Sequence, residues 1–172
     1  MKTEANLTRF VEAQATDYAQ AFAQIKRGER GGRQSHWMGA VFPQLNGLGP
    51  GRTPTGYGLK DLQEAGAYLA HPILGPRLIE LSTALVQFVG KTATQLLGTP
   101  ADSQLQASMT LFSLVQPTNP VFQTVLDIYF EGLADPRTLA ILEQASKASV
   151  VVTKKQTNIV SLLLASIYTT RE

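Results

Sequence analysis

The stretch NPVFQTVLDIYFEGLADPRTLAIL, residues 119–142, decides the fold class of this chain. Twice within it a short polar side chain is followed directly by proline, at Asn119–Pro120 and at Asp135–Pro136. Proline at the first helical position lacks an amide that would have no partner there, and Asn or Asp before it can cap the amides that remain. The stretch therefore predicts two helix starts, at Pro120 and Pro136.

Apolar residues at helical spacing carry the same signal through the rest of the chain. Spacings of three or four residues place apolar side chains on one side of a helix. The first such face consists of Leu7, Phe10, Val11, Tyr18, Phe22 and Ile25. That helix is expected to start at an Asn6 cap and to stop at Gly28. Further helices are predicted over residues 59–70, 76–89, 92–97, 103–115, 120–132, 136–146 and 157–168.

Strand signals are nearly absent. Only the three consecutive valines within residues 149–153 favour an extended segment. We therefore expect an all-α fold, a single-domain multihelical bundle over residues 1–146, followed by a C-terminal extension over residues 147–172. The apolar face of the predicted last helix should pack on the domain or on a second copy, because soluble proteins rarely leave such a face exposed.

The composition restricts the class of protein. The chain has 172 residues, of which 44% are hydrophobic and 16% charged, so it suits one folded domain. Cysteine is absent, which excludes disulfides, zinc–thiolate sites and cysteine catalysis. The net charge is only +2, and the densest basic stretch, KRGERGGR at residues 26–33, is interpreted as a solvated connection. We therefore expect no binding of nucleic acid.

Targeting signals are not recognisable in the sequence. The first ten residues, MKTEANLTRF, contain no apolar core of signal-peptide length. No run of roughly 20 apolar residues, the length needed to span a bilayer, occurs in the chain. We expect a cytoplasmic protein without membrane association, either a monomer or a homodimer.

The segment RQSHWMGAVFPQLNGLGPGRTPTGYG, residues 33–58, is the candidate functional region. Its glycines and prolines exclude regular helix, apart from a short piece near residues 37–42. We expect a long Gly/Pro-rich loop over one side of the bundle, and such loops are usually functional or mobile. Trp37 and Phe42 should point inward, leaving a polar cleft at the edge. The predicted ligand-binding side chains there are Arg33, His36, Gln44 and Tyr57.

His36 is the candidate catalytic residue, since an imidazole exchanges protons near neutral pH. The alternative is structural: His36 caps a helix while Trp37 fills the core. The second histidine, His71, precedes Pro72 at a helix end, where a structural role is favoured. No acidic cluster adjoins either histidine, so we expect no metal site. The glycine-rich LNGLGPG at residues 45–51 matches neither the GxGxxG pattern of dinucleotide-binding folds nor the P-loop of nucleotide-binding proteins. No cofactor is therefore predicted.

Five ordered blocks of the sequence resemble the domain-of-unknown-function family 1810. They are FVEAQATDYAQAFAQI, SHWM with VFPQLNGLG, YLAHPILGPRL, LLGTPADSQLQASMTLF and PVFQTVLDIYFEGLADPRTLAIL. Together they cover roughly residues 5–143. The resemblance implies an all-helical bundle but no activity, because none is established for the family. Members often carry the label calpastatin, yet a calpain inhibitor of that kind is disordered, and the apolar helical register of this chain argues against disorder.

The chain departs from the family pattern at a few positions. Relatives typically have bulky residues where Gly39 and Ala40 stand, a lysine at the position of Gln104 and a serine at that of Ala107. If the bulky pair closes a pocket in relatives, this chain is more open there. If the lysine holds a ligand, that contact is lost here.

Two functions are compatible with these features. The first is a domain that binds or acts on a small nucleotide-like or ADP-ribose-like ligand, which the polar and aromatic cluster over residues 33–44 favours. A weak likeness to the NADAR N-glycosidases supports it, although those enzymes depend on acidic residues and none lies between residues 33 and 58. The second is a non-enzymatic protein-interaction module, in which the loop and residues 147–172 bind a partner. The sequence does not decide whether the protein is an enzyme.

Overall fold

The computed structural model describes residues 2–28, 37–48 and 56–148, with the backbone alone for residues 2–6. Within these ranges the chain is all-helical, as predicted. The named helices are α1 (Lys2–Arg27), α2 (Met38–Val41), α3 (Leu62–Ala70), α4 (Leu74–Val86), α5 (Ala93–Leu97), α6 (Ala101–Ser113) and α7 (Pro120–Phe130). An eighth, α8, covers residues 136–148. A single parallel bridge, Leu45 with Leu59, is the β-pairing of the described residues.

The chain divides into two compact units, Met1–Leu139 and Ala140–Glu172. Helices α1 to α7 all belong to the first unit. In the second, the described residues 140–148 are helical, and Lys147 forms an ion pair with Glu143 one turn away, at 2.6 Å. The predicted helix over residues 157–168 lies outside the described residues. So do two parts of the predicted Gly/Pro-rich loop, residues 29–36 and 49–55.

The two Asx–Pro helix starts are confirmed. The Asn119 side chain accepts a hydrogen bond from the Val121 amide at 3.0 Å, and Pro120 is the first residue of α7. The Asp135 carboxylate accepts from the Thr138 amide at 2.9 Å and from the Thr138 hydroxyl at 2.7 Å. These contacts satisfy amides that have no partner inside the helix, which is why the local sequence predicts both starts correctly.

Some predicted boundaries were wrong. Helix α1 begins at Lys2, ahead of the expected cap at Asn6. Helix α4 begins at Leu74 rather than Pro76, because the His71 imidazole Nδ1 accepts hydrogen bonds from the amides of Ile73 and Leu74 at 3.2 and 3.4 Å. Pro76 then falls within the first turn, where its missing amide costs no helical hydrogen bond. His71 therefore has the structural role that the sequence favours.

The core of the first unit is a chain of aromatic contacts across four helices. The Tyr68 ring of α3 packs edge-on against Phe10 of α1, with centroids 5.1 Å apart, and lies 5.5 Å from Phe112 of α6. Phe112 in turn lies 5.7 Å from Phe122 of α7. All four rings are fully buried. Because large aromatic side chains bury the most apolar area, these four rings largely determine how α1, α3, α6 and α7 pack.

Gly75 permits the close approach of α4 to the end of α3. A β-carbon at this position would lie 1.9 Å from the Leu69 carbonyl oxygen, which is main chain and cannot rotate away. Gly66 in α3 is different, because a β-carbon there would meet only Val115, at an ordinary 3.8 Å. The two glycines lie in neighbouring helices that pack together. A side chain is excluded at Gly75 but can be accommodated at Gly66.

We predict that Gly75→Ala and Gly66→Ala change stability in opposite directions. Gly75→Ala should lower the free energy of unfolding by about 1–3 kcal/mol or more, because α4 must move away from Leu69. Gly66→Ala should raise it by about 0.5–1 kcal/mol, because alanine is the better helix former. Urea denaturation of both variants checks this. A Gly75→Ala variant as stable as the wild type would contradict the close helix contact.

Candidate functional site

Two of the four predicted ligand-binding residues can be located. Arg33 and His36 lie outside the described residues, whereas Gln44 and Tyr57 are described and half-buried. The Leu45–Leu59 bridge joins their neighbourhoods: the Leu59 amide donates to the Gln44 carbonyl at 2.8 Å, and the Asn46 amide donates to the Leu59 carbonyl at 2.8 Å. Gln44 and Tyr57, 13 positions apart in the chain, therefore lie beside one fixed backbone pairing.

Tyr57 lies where three elements meet. Its ring centroid is 6.0 Å from that of Phe10 in α1. A β-carbon on Gly39 of α2 would lie 3.6 Å from the Tyr57 β-carbon and 3.7 Å from the Gln104 side-chain nitrogen of α6. Gly39, Tyr57 and Gln104 thus converge. Because Gly39 has no side chain, it does not cover the sides of Tyr57 and Gln104 that face it. The Gln104 amide donates to the Phe42 carbonyl at 3.5 Å, a long hydrogen bond.

Gln104 was not among the predicted site residues. The sequence singles it out only as a departure from the family pattern, and nothing local places α6 beside α2. Ala40, the other half of the substituted pair, is fully buried. Any opening that the small pair creates is therefore at Gly39, which is half-buried.

Trp37 is a core residue, as the structural interpretation of this segment predicts. It is 2% exposed, its indole nitrogen donates to the Gln24 side-chain oxygen at 3.3 Å, and its ring lies 6.4 Å from Phe42. Phe42, which was also predicted to point inward, is buried, and so are the neighbouring apolar residues Met38, Val41 and Leu45. A buried indole offers no free face, so Trp37 cannot stack on a ligand in this conformation.

The segment 58–60 is held to the bundle by a buried ion pair. The Arg9 guanidinium donates to the Glu64 carboxylate at 2.9 Å and to the Gly58 carbonyl at 3.0 Å. The second oxygen of Glu64 accepts from the Lys60 amide at 2.7 Å, and the Glu64 side chain is only 7% exposed. Hydrogen bonds of this kind hold a carboxylate that would otherwise be costly to bury. They fix the backbone directly after Tyr57.

A buried hydrogen-bond network lies behind α2; we call it the Gln14 network, after its central residue. The Gln14 side-chain nitrogen donates to the Ala40 carbonyl at 2.8 Å and to the Tyr68 hydroxyl at 2.9 Å. The Tyr68 hydroxyl itself donates to the Ala40 carbonyl at 3.0 Å, and Arg77 donates to the Gln14 oxygen at 3.3 Å. Complete burial raises the pKa of the Tyr68 hydroxyl far above its usual value, so it stays protonated and remains a donor.

Removing the Tyr68 hydroxyl should destabilise the fold. Tyr68→Phe takes away one donor to the Ala40 carbonyl and the acceptor for Gln14, and we expect a loss of about 1–3 kcal/mol because water cannot replace them. Tyr129→Phe is the matched control. Its hydroxyl also donates to a main-chain carbonyl, that of Leu85, at 2.5 Å, but the residue is only half-buried. Chemical denaturation that gives equal losses for both variants would contradict the role of the network.

Asp102 is tied to hydroxyl groups at the start of α6. Its carboxylate accepts from the Thr94 hydroxyl at 2.6 Å, the Thr99 hydroxyl at 3.1 Å and the Ser103 amide at 2.7 Å. Partial burial by itself raises the pKa of Asp102, but these hydrogen bonds favour the charged form more strongly, so the pKa lies below its usual value of 3.8. The helix begins at Ala101, two residues before the predicted start at Ser103, so Asp102 lies in the first turn.

The lowered pKa gives a signed pH prediction. A carboxyl group with a lower pKa in the folded state stabilises the fold above its unfolded pKa, and that stabilisation is lost as the pH falls through the folded value. Asp102→Asn should therefore cost about 0.3–1 kcal/mol at pH 7, the usual effect of a charged carboxylate in the first turn of a helix, and the cost should shrink below pH 3.8. The control is Asp127→Asn, whose exposed carboxylate has Gln123 as its partner. A difference between wild type and Asp102→Asn that is independent of pH would refute the assignment.

Other site types find little support in the described part of the chain. No group of three or more His, Asp or Glu side chains converges there in a way that would hold a metal ion. Among the described helices, none has both the length and the apolar character needed to cross a membrane. The Ser108 hydroxyl is fully buried without a hydrogen-bond partner, and it lies six residues, or about 1.7 turns of α6, beyond Asp102.

Comparison with known proteins confirms the predicted resemblance. The family model described as "Protein of unknown function (DUF1810)" matches residues 4–142. The crystal structure of the conserved hypothetical protein Rv1873 from Mycobacterium tuberculosis is similar, with 41% sequence identity and a TM-score of 0.73. The similarity covers 80% of this chain and 96% of that one. None of the curated proteins matches the chain.

Proposed function

Because the chain belongs to the DUF1810 family of proteins of unknown function, its activity has to be inferred from its own residues, and we propose that it binds a small polar ligand. The binding surface is formed by Gly39, Gln44, Tyr57 and Gln104, which we call the rim. The ligand class is nucleotide-like or ADP-ribose-like. Arg33 and His36, which precede α2 in the chain, belong to the same proposed site.

One observation carries this proposal: the Leu45–Leu59 bridge next to the rim. Both bridge residues are buried, at 1% and 0% exposure, while Gln44 and Tyr57 beside them are only half-buried. The bridge, together with the Arg9 contact to Gly58, holds these two polar side chains on a rigid support. A preformed site loses less conformational entropy on binding than a flexible one, which favours affinity for a small molecule.

The rim residues suit a nucleobase better than a phosphate. Tyr57 offers an aromatic ring for packing, and the amides of Gln44 and Gln104 both donate and accept hydrogen bonds without carrying charge. A β-carbon at Gly39 would already contact Tyr57 and Gln104, at 3.6 and 3.7 Å, so the glycine leaves a space of about one methyl group beside these two side chains. The positive charge that a phosphate or diphosphate requires is assigned to Arg33, and His36 is the candidate acid or base if a chemical step follows binding.

Ligand titration of the full chain tests this function. We expect ADP-ribose or AMP to raise the melting temperature, since a ligand at 100 times its Kd adds about 2.7 kcal/mol of stability. Gly39→Leu, which places a side chain between Tyr57 and Gln104, should abolish the response, and Gln44→Ala should weaken it about tenfold. Gln106→Ala is the control, because the Gln106 amide donates to the Leu133 carbonyl, away from the rim contacts.

Two outcomes would overturn the proposal. One is the absence of any response to nucleotides and ADP-ribose derivatives in the wild-type protein. The other is an undiminished response in Gly39→Leu, because a ligand bound elsewhere would be unaffected by filling this gap. His36→Ala separates binding from catalysis: retained binding with loss of any observed turnover assigns His36 a chemical role.

The alternative function, a non-enzymatic interaction module, is favoured by exposed leucines near the end of the family domain. Leu133 is 62% exposed and Leu139 is 42% exposed, so both offer apolar surface to a partner. On this proposal the protein is a monomer or a homodimer, and sedimentation of wild type and Leu133→Ser distinguishes the two. A cytoplasmic location belongs to both proposals, and cell fractionation tests it.

A further inference from the structure

A small surface groove lies between α1 and α4, separate from the rim. Its volume is about 210 Å³, and it is lined by Phe22, Lys26, Glu80, Thr83, Ala84 and Gln87. The groove is open to solvent, so a compact molecule can reach its lining side chains from outside.

The apolar part of the groove is a supported aromatic surface. The Phe22 ring stacks on Tyr18, with centroids 6.2 Å apart and planes inclined by 27°. Ala84 also lines the groove, and its small side chain is 4% exposed. The Lys26 ammonium lies 5.3 Å from the centre of the Phe22 ring. This contact keeps a positive charge next to the apolar surface.

Two opposite charges line the groove without pairing with each other. Lys26 and Glu80 both contribute to its wall, yet no ion pair within 4.0 Å joins them. Glu80 is held by Tyr18, whose hydroxyl donates to one of the carboxylate oxygens. Arg77 lies 4.5 Å from the centre of the Tyr18 ring, which keeps Tyr18 itself in position. The groove therefore presents a separated cation and anion beside an aromatic surface.

We propose that this groove binds a small zwitterion of the α-amino-acid class. The ligand carboxylate pairs with the Lys26 ammonium, the ligand ammonium pairs with Glu80, and a short aliphatic side chain packs on Phe22 and Ala84. The charge arrangement favours this class, because a ligand with only one charge can form only one of these two ion pairs. The inference is independent of the function proposed for the rim.

Titration of the 15N-labelled full chain with L-valine tests the inference. We expect saturable shifts of the amide signals of Phe22 and Ala84. 2-Methylpropan-1-amine and 3-methylbutanoate, which each lack one of the two charges, should bind about tenfold more weakly. Glu80→Gln and Lys26→Met should each weaken binding of L-valine by about fivefold or more, since each removes one charge pair.

Matched controls and the spectra themselves keep the test decisive. Glu131→Gln and Lys60→Met change the same residue types at exposed positions outside the groove and should bind L-valine as the wild type does. The amide spectrum of each variant shows directly whether it is folded. Absence of saturable shifts in the wild type, equal binding of the singly charged analogues, or unchanged binding by both groove variants would overturn the proposal.

Discussion

The position of α2 depends on the hydrogen bonds that converge on the Ala40 carbonyl. Helix α2 has only four residues. An isolated helix of that length does not form, because the entropy lost in ordering the first turn exceeds the stabilisation by its hydrogen bonds. Gln14 of α1 and Tyr68 of α3 both donate to this carbonyl from inside the core. The burial of Trp37 and the other apolar side chains of the segment supplies the remaining stabilisation. Gln44 and the bridge at Leu45 follow α2 by only a few residues, so this anchor helps to position them.

The sequence predicted those features of the fold that local chemistry determines. The cap and proline pairs at Asn119 and Asp135 act within four residues, so their outcome does not depend on the rest of the chain. The inward direction of Trp37 and Phe42 follows equally locally, from apolar spacing alone. The start of α4 was missed, because the His71 side chain caps it, and histidine in that role has no strong sequence pattern.

The candidate site was predicted less completely, because it is a tertiary feature. Gln44 and Tyr57 were found by residue type within one segment, but Gly39 and Gln104 meet only because α2 packs beside α6. The Gln14 network combines α1, α2, α3 and α4, and nothing in the spacing of glutamine and tyrosine along a chain indicates that they will meet. Arg33 and His36 remain predictions, since they lie outside the described residues.

The Gln14 network also relates the rim to the groove. Arg77 contacts the Tyr18 ring at the groove and donates to the Gln14 oxygen, while Gln14 donates to the carbonyl of Ala40, the residue after Gly39 of the rim. Both surfaces are thus attached to one set of buried contacts made by α1, α3 and α4, although Gln44 and Tyr57 of the rim themselves lie outside helices. Side chains supported by helices keep their geometry better than side chains on loops. In addition, a buried polar network is strong only when every member is satisfied, so a displacement of Arg77 would weaken the hydrogen bonds that position α2.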